Sequence, residues 1–115
     1  SLKYGVCGAA PVDADIVARA EQRLGCVIRQ GYGMTEASPA ILGVGDADCS
    51  STPSGCVGTL MPSTQARLVQ PGTDVDVAPG SAGELLIRGP QVMSGYLDNA
   101  QATAETITGG GAAYR

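Results

Sequence analysis

Apolar and polar positions along this chain follow a helical period early and lose it later. Leu2 to Val6 is a short strand-like run, closed by the turn Gly8-Ala9-Ala10-Pro11. From Val12 to Leu24 the apolar positions recur at helical spacing. Ile16, Val17, Ala20 and Leu24 share one face, while Arg19, Glu21, Gln22 and Arg23 supply the wet side. Asp13 is placed to cap the start of this helix. Gly25 stands where a helix ends on a left-handed residue. Cys26 to Gln30 predicts a second strand. A helix of crossover length between two strands makes a parallel βαβ unit.

Ala40 to Val44 predicts a further strand, and Gly45 to Gly55, rich in Asp, Ser and Gly, predicts a loop. Beyond it the helical period disappears. Residues 65–70 alternate, residues 84–88 do so in part, and Pro71-Gly72-Thr73-Asp74 and Pro79-Gly80 mark turns. This half reads as antiparallel β structure. Asn99 or Asp98 caps a short helix through Ile107, and Gly109-Gly110-Gly111 breaks it. The predicted fold class is α/β: a parallel βαβ piece over residues 1–48, then a β-rich, barrel-like antiparallel piece with a short helix over residues 49–115.

Composition changes the picture in three ways. The 115 residues hold no Phe, no Trp and only four Tyr, so the largest buried areas per residue are missing. Seventeen glycines add ordering entropy, and the fold is expected to be marginal in isolation. The net charge is −4 with no basic cluster, which disfavours nucleic-acid binding. There is no His, and the cysteines at 7, 26, 49 and 56 lack zinc-knuckle spacing. A His-based triad or His-ligated metal is therefore excluded within these residues. The cysteines read as free thiols of a reducing compartment, with a Cys49–Cys56 disulfide as the alternative. No leader-like run is visible, nor one long enough to span a membrane.

The candidate chemistry lies in Gly31-Tyr32-Gly33-Met34-Thr35-Glu36-Ala37, at the carboxyl end of the second predicted strand, where open α/β sheets place ligands. The Tyr32 ring can stack on a purine, and Gly31 and Gly33 lack the Cβ atoms that would keep a ligand from the backbone. The Thr35 hydroxyl can reach a phosphate oxygen. The Glu36 carboxylate can hold Mg²⁺, the hard cation that accompanies ATP. A hydroxyl beside a metal-binding carboxylate suits adenylyl transfer, which needs charge neutralisation more than covalent help.

This string resembles the tyrosine-glycine-x-threonine-glutamate motif of adenylate-forming enzymes: acyl-CoA ligases, luciferases and adenylation domains. Residues 83–97, from Gly83-Glu84-Leu85 to Gly95-Tyr96-Leu97, resemble the family's second signature, and Gly8-Ala9-Ala10-Pro11 resembles the turn that precedes the first. Within the family the string is most similar to the hydroxycinnamate–CoA ligases. The resemblance implies ATP-dependent activation of a carboxylic acid, such as a hydroxycinnamate, through an acyl-adenylate to its CoA thioester. ATP and coenzyme A would be co-substrates and Mg²⁺ the metal. Other acyl-activating enzymes (fatty acyl ligases, luciferase-like enzymes, adenylation domains) are the alternatives, as is a non-catalytic nucleotide-binding fragment. The expected compartment is the cytoplasm, with the peroxisome left open.

The resemblance also assigns residues. Thr35 and Glu36 would be catalytic, with Glu36 the Mg²⁺ ligand. Gly8, Ala9, Ala10, Pro11, Gln30, Gly31, Tyr32, Gly33, Met34 and Thr35 would bind nucleotide. Val6, Ala9, Gly31, Pro39 and Ala40 would line the acid pocket. Many hydroxycinnamate ligases carry valine where Ala40 stands and glycine where Ser38 stands. Gly110-Gly111-Ala112-Ala113 stands where relatives often have glycine-tryptophan. Glu84 and Arg88 read as structural strand residues, and no chemical role is assigned to residues 83–97. Both pieces would belong to one larger AMP-binding domain. A phosphate loop with its lysine, a ribose-binding aspartate, a hinge and a C-terminal lysine would lie elsewhere, so these 115 residues alone are expected to be inactive.

Overall fold

The computed structural model describes residues 2–45, 52, 53, 55–108, 113 and 114. Cys49, most of the loop expected over residues 45–55, and the break at residues 109–111 lie outside the described residues. Contacts divide the chain into two units, Ser1–Thr35 with Pro39–Met61, and Glu36–Ser38 with Pro62–Arg115. Thr59 and Leu60 fall in the first unit because they pair with one of its strands.

In the first unit, β1 (Tyr4–Cys7) and β2 (Val27–Gln30) pair in parallel, Tyr4 opposite Val27 and Cys7 opposite Gln30. Helix α1 (Ala14–Leu24) connects them. Its caps are the two that local chemistry dictates. The Asp13 carboxylate accepts from the Asp15 N–H at 3.1 Å, and Gly25, at φ 63°, donates its N–H to the Glu21 carbonyl at 2.8 Å. The apolar stripe is only partly used. Val17 is buried and Ala20 half-buried, while Ile16 and Leu24 remain 58% and 51% exposed. Two strands about 4.8 Å apart form too narrow a face to cover the whole stripe. Glu21 departs from the wet side it was expected to share: it is half-buried, and its carboxylate accepts from the Ile28 N–H at 2.8 Å, tying helix to strand.

The rest of this unit is an antiparallel sheet of β3 (Tyr32–Gly33), β4 (Ala40–Gly43) and β5 (Thr59–Leu60), with β4 in the middle. Ile41, on β4, is fully buried. Tyr32 faces Leu42 and Gly33 faces Ala40, with a register shift between them.

In the second unit, β6 (Gln65–Val69) and β7 (Glu84–Arg88) pair antiparallel from Gln65–Arg88 to Val69–Glu84. Helix α2 (Ala100–Thr106) follows, then β8 (Ile107–Thr108) and β9 (Ala113–Tyr114), giving the sheet order β6-β7-β9-β8. Asn99 caps α2, its side chain accepting from the Ala102 N–H at 3.0 Å. The core is Val69, Leu86 and Ile87, with Ala37 also buried. Leu86 and Ile87 are consecutive and therefore point to opposite faces, so β7 is covered on both sides, which explains its incomplete alternation. Glu84 and Arg67 secure the intervening turns. Glu84 accepts from the Gly72 N–H at 2.9 Å, and Arg67 pairs with Asp74 and Asp76 at 3.0 Å each. The hydrogen bond and charge of Asp76, then the charge of Asp74, hold the guanidinium pKa above its ordinary value. These pairs are solvent-exposed and contribute little to stability. No helix among the described residues is long and apolar enough to cross a membrane.

Candidate functional site

The carboxyl ends of β1 and β2 bring two predicted site segments together. The Gly31 N–H donates to the Cys7 carbonyl at 3.0 Å, extending the parallel ladder past β2. The Gly8-Ala9-Ala10-Pro11 turn leaves β1 at the same end. A Cβ on Gly8 would stand 3.2 Å from the Gly31 carbonyl oxygen, and one on Gly31 would stand 3.2 Å from that of Leu42. The close passage of the chain's own backbone favours small residues here. Ala9 adopts φ 70°, a left-handed conformation disfavoured for a residue with a Cβ. Ala9, Ala10 and Pro11 are exposed, and Gln30 is half-buried. Val6 is 69% exposed, on the face of the parallel pair where the Arg29 guanidinium lies 4.1 Å from the Tyr4 ring centroid.

From Tyr32 the chain turns back on itself. Tyr32 presents a 38% exposed side chain at the start of β3. At Gly33 the sequence suggested clearance for a ligand, but that space is taken by the chain: a Cβ would run into the Pro39 carbonyl. The same carbonyl accepts from the Met34 N–H at 2.8 Å. Gly33 and Pro39 thus close the turn that carries Thr35, Glu36 and Ala37, a single 3-10 turn. Met34 is half-buried, while Thr35, Pro39 and Ala40 are exposed. Ser38 adopts φ 53°, which gives a physical reason for a glycine at this position in hydroxycinnamate ligases.

Glu36 is held by the second unit, to which it belongs. The Tyr96 hydroxyl donates to Glu36 Oε1 at 2.6 Å, and the Met93 N–H donates to the Glu36 carbonyl at 2.8 Å. Glu36 itself is half-buried. Sequence reasoning gave neither Tyr96 nor Met93 a contact with Glu36. Both lie in the segment 83–97, recognisable as a signature, but its partner stands 60 positions away and no local pattern encodes that pairing. The donor chemistry fits a hard cation. Glu36 offers carboxylate oxygen, and no group of three or more His, Cys, Asp or Glu gathers among the described residues. One carboxylate matches Mg²⁺, which retains waters and shares its remaining positions with substrate phosphates.

A cavity of about 310 Å³ lies beside α1 and β2 in the first unit, lined by Val17, Glu21, Ile28 and Cys56 among others. Of the predicted site residues only Gln30 lines it. Cys7, Cys26 and Cys56 are free thiols.

Comparison with known proteins places this geometry. The chain is 41% identical over 109 residues to 4-coumarate–CoA ligase-like 9 of Arabidopsis thaliana, covering 93% of this chain and 19% of that protein. It is 40% identical over 111 residues to the long-chain-fatty-acid–CoA ligase of Salmonella typhimurium, covering 96% of this chain and 19% of that protein. The chain thus spans about a fifth of the length of these curated relatives. Its fold matches that of an anthranilate CoA ligase in complex with anthranoyl-AMP, with a TM-score of 0.84 and 21% identity over 97% of this chain and 21% of that one. Residues 1–97 match the AMP-binding enzyme family, and the chain belongs to that family.

Proposed function

We propose that the protein carrying this chain is an acid–thiol ligase. The acid's carboxylate oxygen attacks the α-phosphorus of ATP and the α–β anhydride bond breaks, giving an acyl-adenylate and pyrophosphate. The sulfur of coenzyme A then attacks the acyl carbon, loses its proton, and displaces AMP. One observation carries this proposal: Thr35 and Glu36 share a single turn that follows Tyr32-Gly33-Met34, inside the span that matches the family. The two units would belong to one larger AMP-binding domain.

The chain's own residues would bind and orient. Tyr32 would stack on adenine, bordered by the backbone of the Gly8-to-Pro11 turn, Gln30 and Gly31. Thr35 would donate to the α-phosphate as charge develops there. Glu36 would hold Mg²⁺, which when bound supplies positive charge to the phosphates. Val6, Ala9, Gly31, Pro39 and Ala40 would border the acid.

A hydroxycinnamate such as 4-coumarate is the proposed acid, supported by the relative that is 41% identical. A long-chain fatty acid is the second reading, because a fatty acid ligase is 40% identical over nearly the same span. Exchange of labelled pyrophosphate into ATP by the full-length protein tests both, with 4-coumarate and palmitate as alternative acids. Exchange and acyl-CoA formation with 4-coumarate alone support the first acid. Exchange with palmitate alone replaces it with the second, and exchange with neither acid, nor with a wider panel of carboxylates, contradicts the ligase assignment. The 115 residues by themselves should release no pyrophosphate above a boiled control.

A further inference from the structure

Glu36 is not simply a carboxylate on a loop, because both its backbone and its side chain are gripped by residues distant in sequence, Met93 and Tyr96. Met93 fixes the backbone: its N–H donates to the Glu36 carbonyl at 2.8 Å. Tyr96 fixes the side chain: its hydroxyl donates to Oε1 at 2.6 Å, a short bond of the charge-assisted kind.

Tyr96 is in turn held on both sides of its own backbone. Its N–H donates to Thr103 Oγ1 at 2.9 Å, and its carbonyl accepts from the Asn99 N–H at 3.3 Å. Thr103 Oγ1 donates onward to the Asn99 carbonyl at 2.9 Å. Asn99 is the cap of α2, and Thr103 lies on that helix. Gly95, at φ 152°, passes so close to Thr103 that a Cβ there would stand 2.7 Å from its Cγ2. The helix therefore anchors the loop, the loop aims the phenol, and the phenol meets one oxygen of the carboxylate.

We infer that Tyr96 is a positioning residue for Glu36: its hydroxyl fixes the carboxylate in the orientation that receives the divalent cation. This rests on the proposal that Glu36 is the metal-binding carboxylate. An ionised carboxylate has about four acceptor positions on two oxygens, so a phenol bond does not by itself keep a cation from it. A ligand already hydrogen-bonded by its surroundings loses less freedom on metal binding, and removing such a partner commonly lowers metal affinity about 10–100-fold.

The test is direct metal binding in the full-length protein. Mn²⁺ replaces Mg²⁺ as the probe, and the free-Mn²⁺ electron paramagnetic resonance signal reports its binding with a non-hydrolysable ATP analogue present. Wild type, Tyr96→Phe and Glu36→Gln are compared, and affinity for the metal-free analogue is measured alongside. Tyr96→Phe should weaken Mn²⁺ about tenfold or more while leaving the metal-free analogue's affinity unchanged. A general loosening of the site would lower both affinities together, and that result overturns the inference. If Glu36→Gln weakens Mn²⁺ and Tyr96→Phe does not, Glu36 binds metal without help from Tyr96, and the inference alone fails. Tighter Mn²⁺ binding in Tyr96→Phe would mean that the phenol competes with the metal, which also overturns it. If neither variant changes Mn²⁺ affinity, the assignment of Glu36 fails and the inference falls with it.

Discussion

The two halves of the Gly31-to-Ala37 motif are adjacent in sequence and built in opposite ways. Tyr32 to Met34 are secured locally: Gly33 admits the Pro39 carbonyl, which accepts the Met34 N–H, and the hairpin partner β4 follows at once. Glu36 and Ala37 belong to the other unit, and Glu36 is held by Met93 and Tyr96. A short motif can thus be half a local turn and half the end of a long-range network. Substitution of Gly33 should act on folding of the turn, and substitution of Glu36 on the chemistry that the turn carries.

The largest effect expected from breaking the local half is at Gly33. Gly33→Ala drives a methyl into the Pro39 carbonyl and should destabilise the full-length protein by about 3 kcal/mol, the upper range for overpacking. Thermal unfolding and soluble yield report it. Unchanged stability would mean that the turn opens readily and is not locally fixed. In the other half, Glu36→Gln should keep the fold, since an amide oxygen can still accept from the Tyr96 hydroxyl. The adenylation rate should fall about 10²-fold, as when a group stabilising transition-state charge is lost. Near-normal pyrophosphate exchange would show Glu36 to be a structural hydrogen-bond acceptor only.

Two smaller substitutions sharpen the contrast. Ala40, opposite Gly33 in the hairpin, stands where hydroxycinnamate ligases often carry valine. Ala40→Val should discriminate against methoxylated rings by about 1–2 kcal/mol, read as the ratio of kcat/KM for sinapate and 4-coumarate. A ratio that does not fall removes Ala40 from the acid pocket. Ser38→Gly relaxes a left-handed residue and should stabilise by less than about 1 kcal/mol, because lost strain and added unfolded-state entropy oppose each other. A destabilisation of that size or more would show that the serine side chain contributes a contact worth more than its strain.

Legibility in the sequence follows the same division. The caps of α1 and α2, the parallel pairing of β1 with β2, and the positions of β4, β6 and β7 were readable because each is written in adjacent residues: Asp13 and Gly25, Asn99, two strands with a helix between them. The exposure of Ile16 and Leu24 was not, because period alone does not say how wide the covering sheet is. The pairs β3 and β8 with their partners are only two residues long, too short to show alternation. Gly33 was singled out correctly as a residue that must be small, but the atom it makes room for is a carbonyl of the same chain. The segment 83–97 carried a recognisable pattern without a role, and its contact with Glu36 is the ground for the one proposed for Tyr96.

A double-mutant cycle on Glu36 and Tyr96 tests the long-range half most directly. Adenylation rate and Mn²⁺ affinity would be measured in full-length wild type, Tyr96→Phe, Glu36→Gln and the double variant. If Tyr96 acts by aiming the Glu36 carboxylate, Tyr96→Phe costs about tenfold in the wild-type background and little once Glu36→Gln has removed the charge, a coupling of about 1 kcal/mol or more. Equal and additive losses in both backgrounds would contradict the account, because Tyr96 would then act on something other than Glu36.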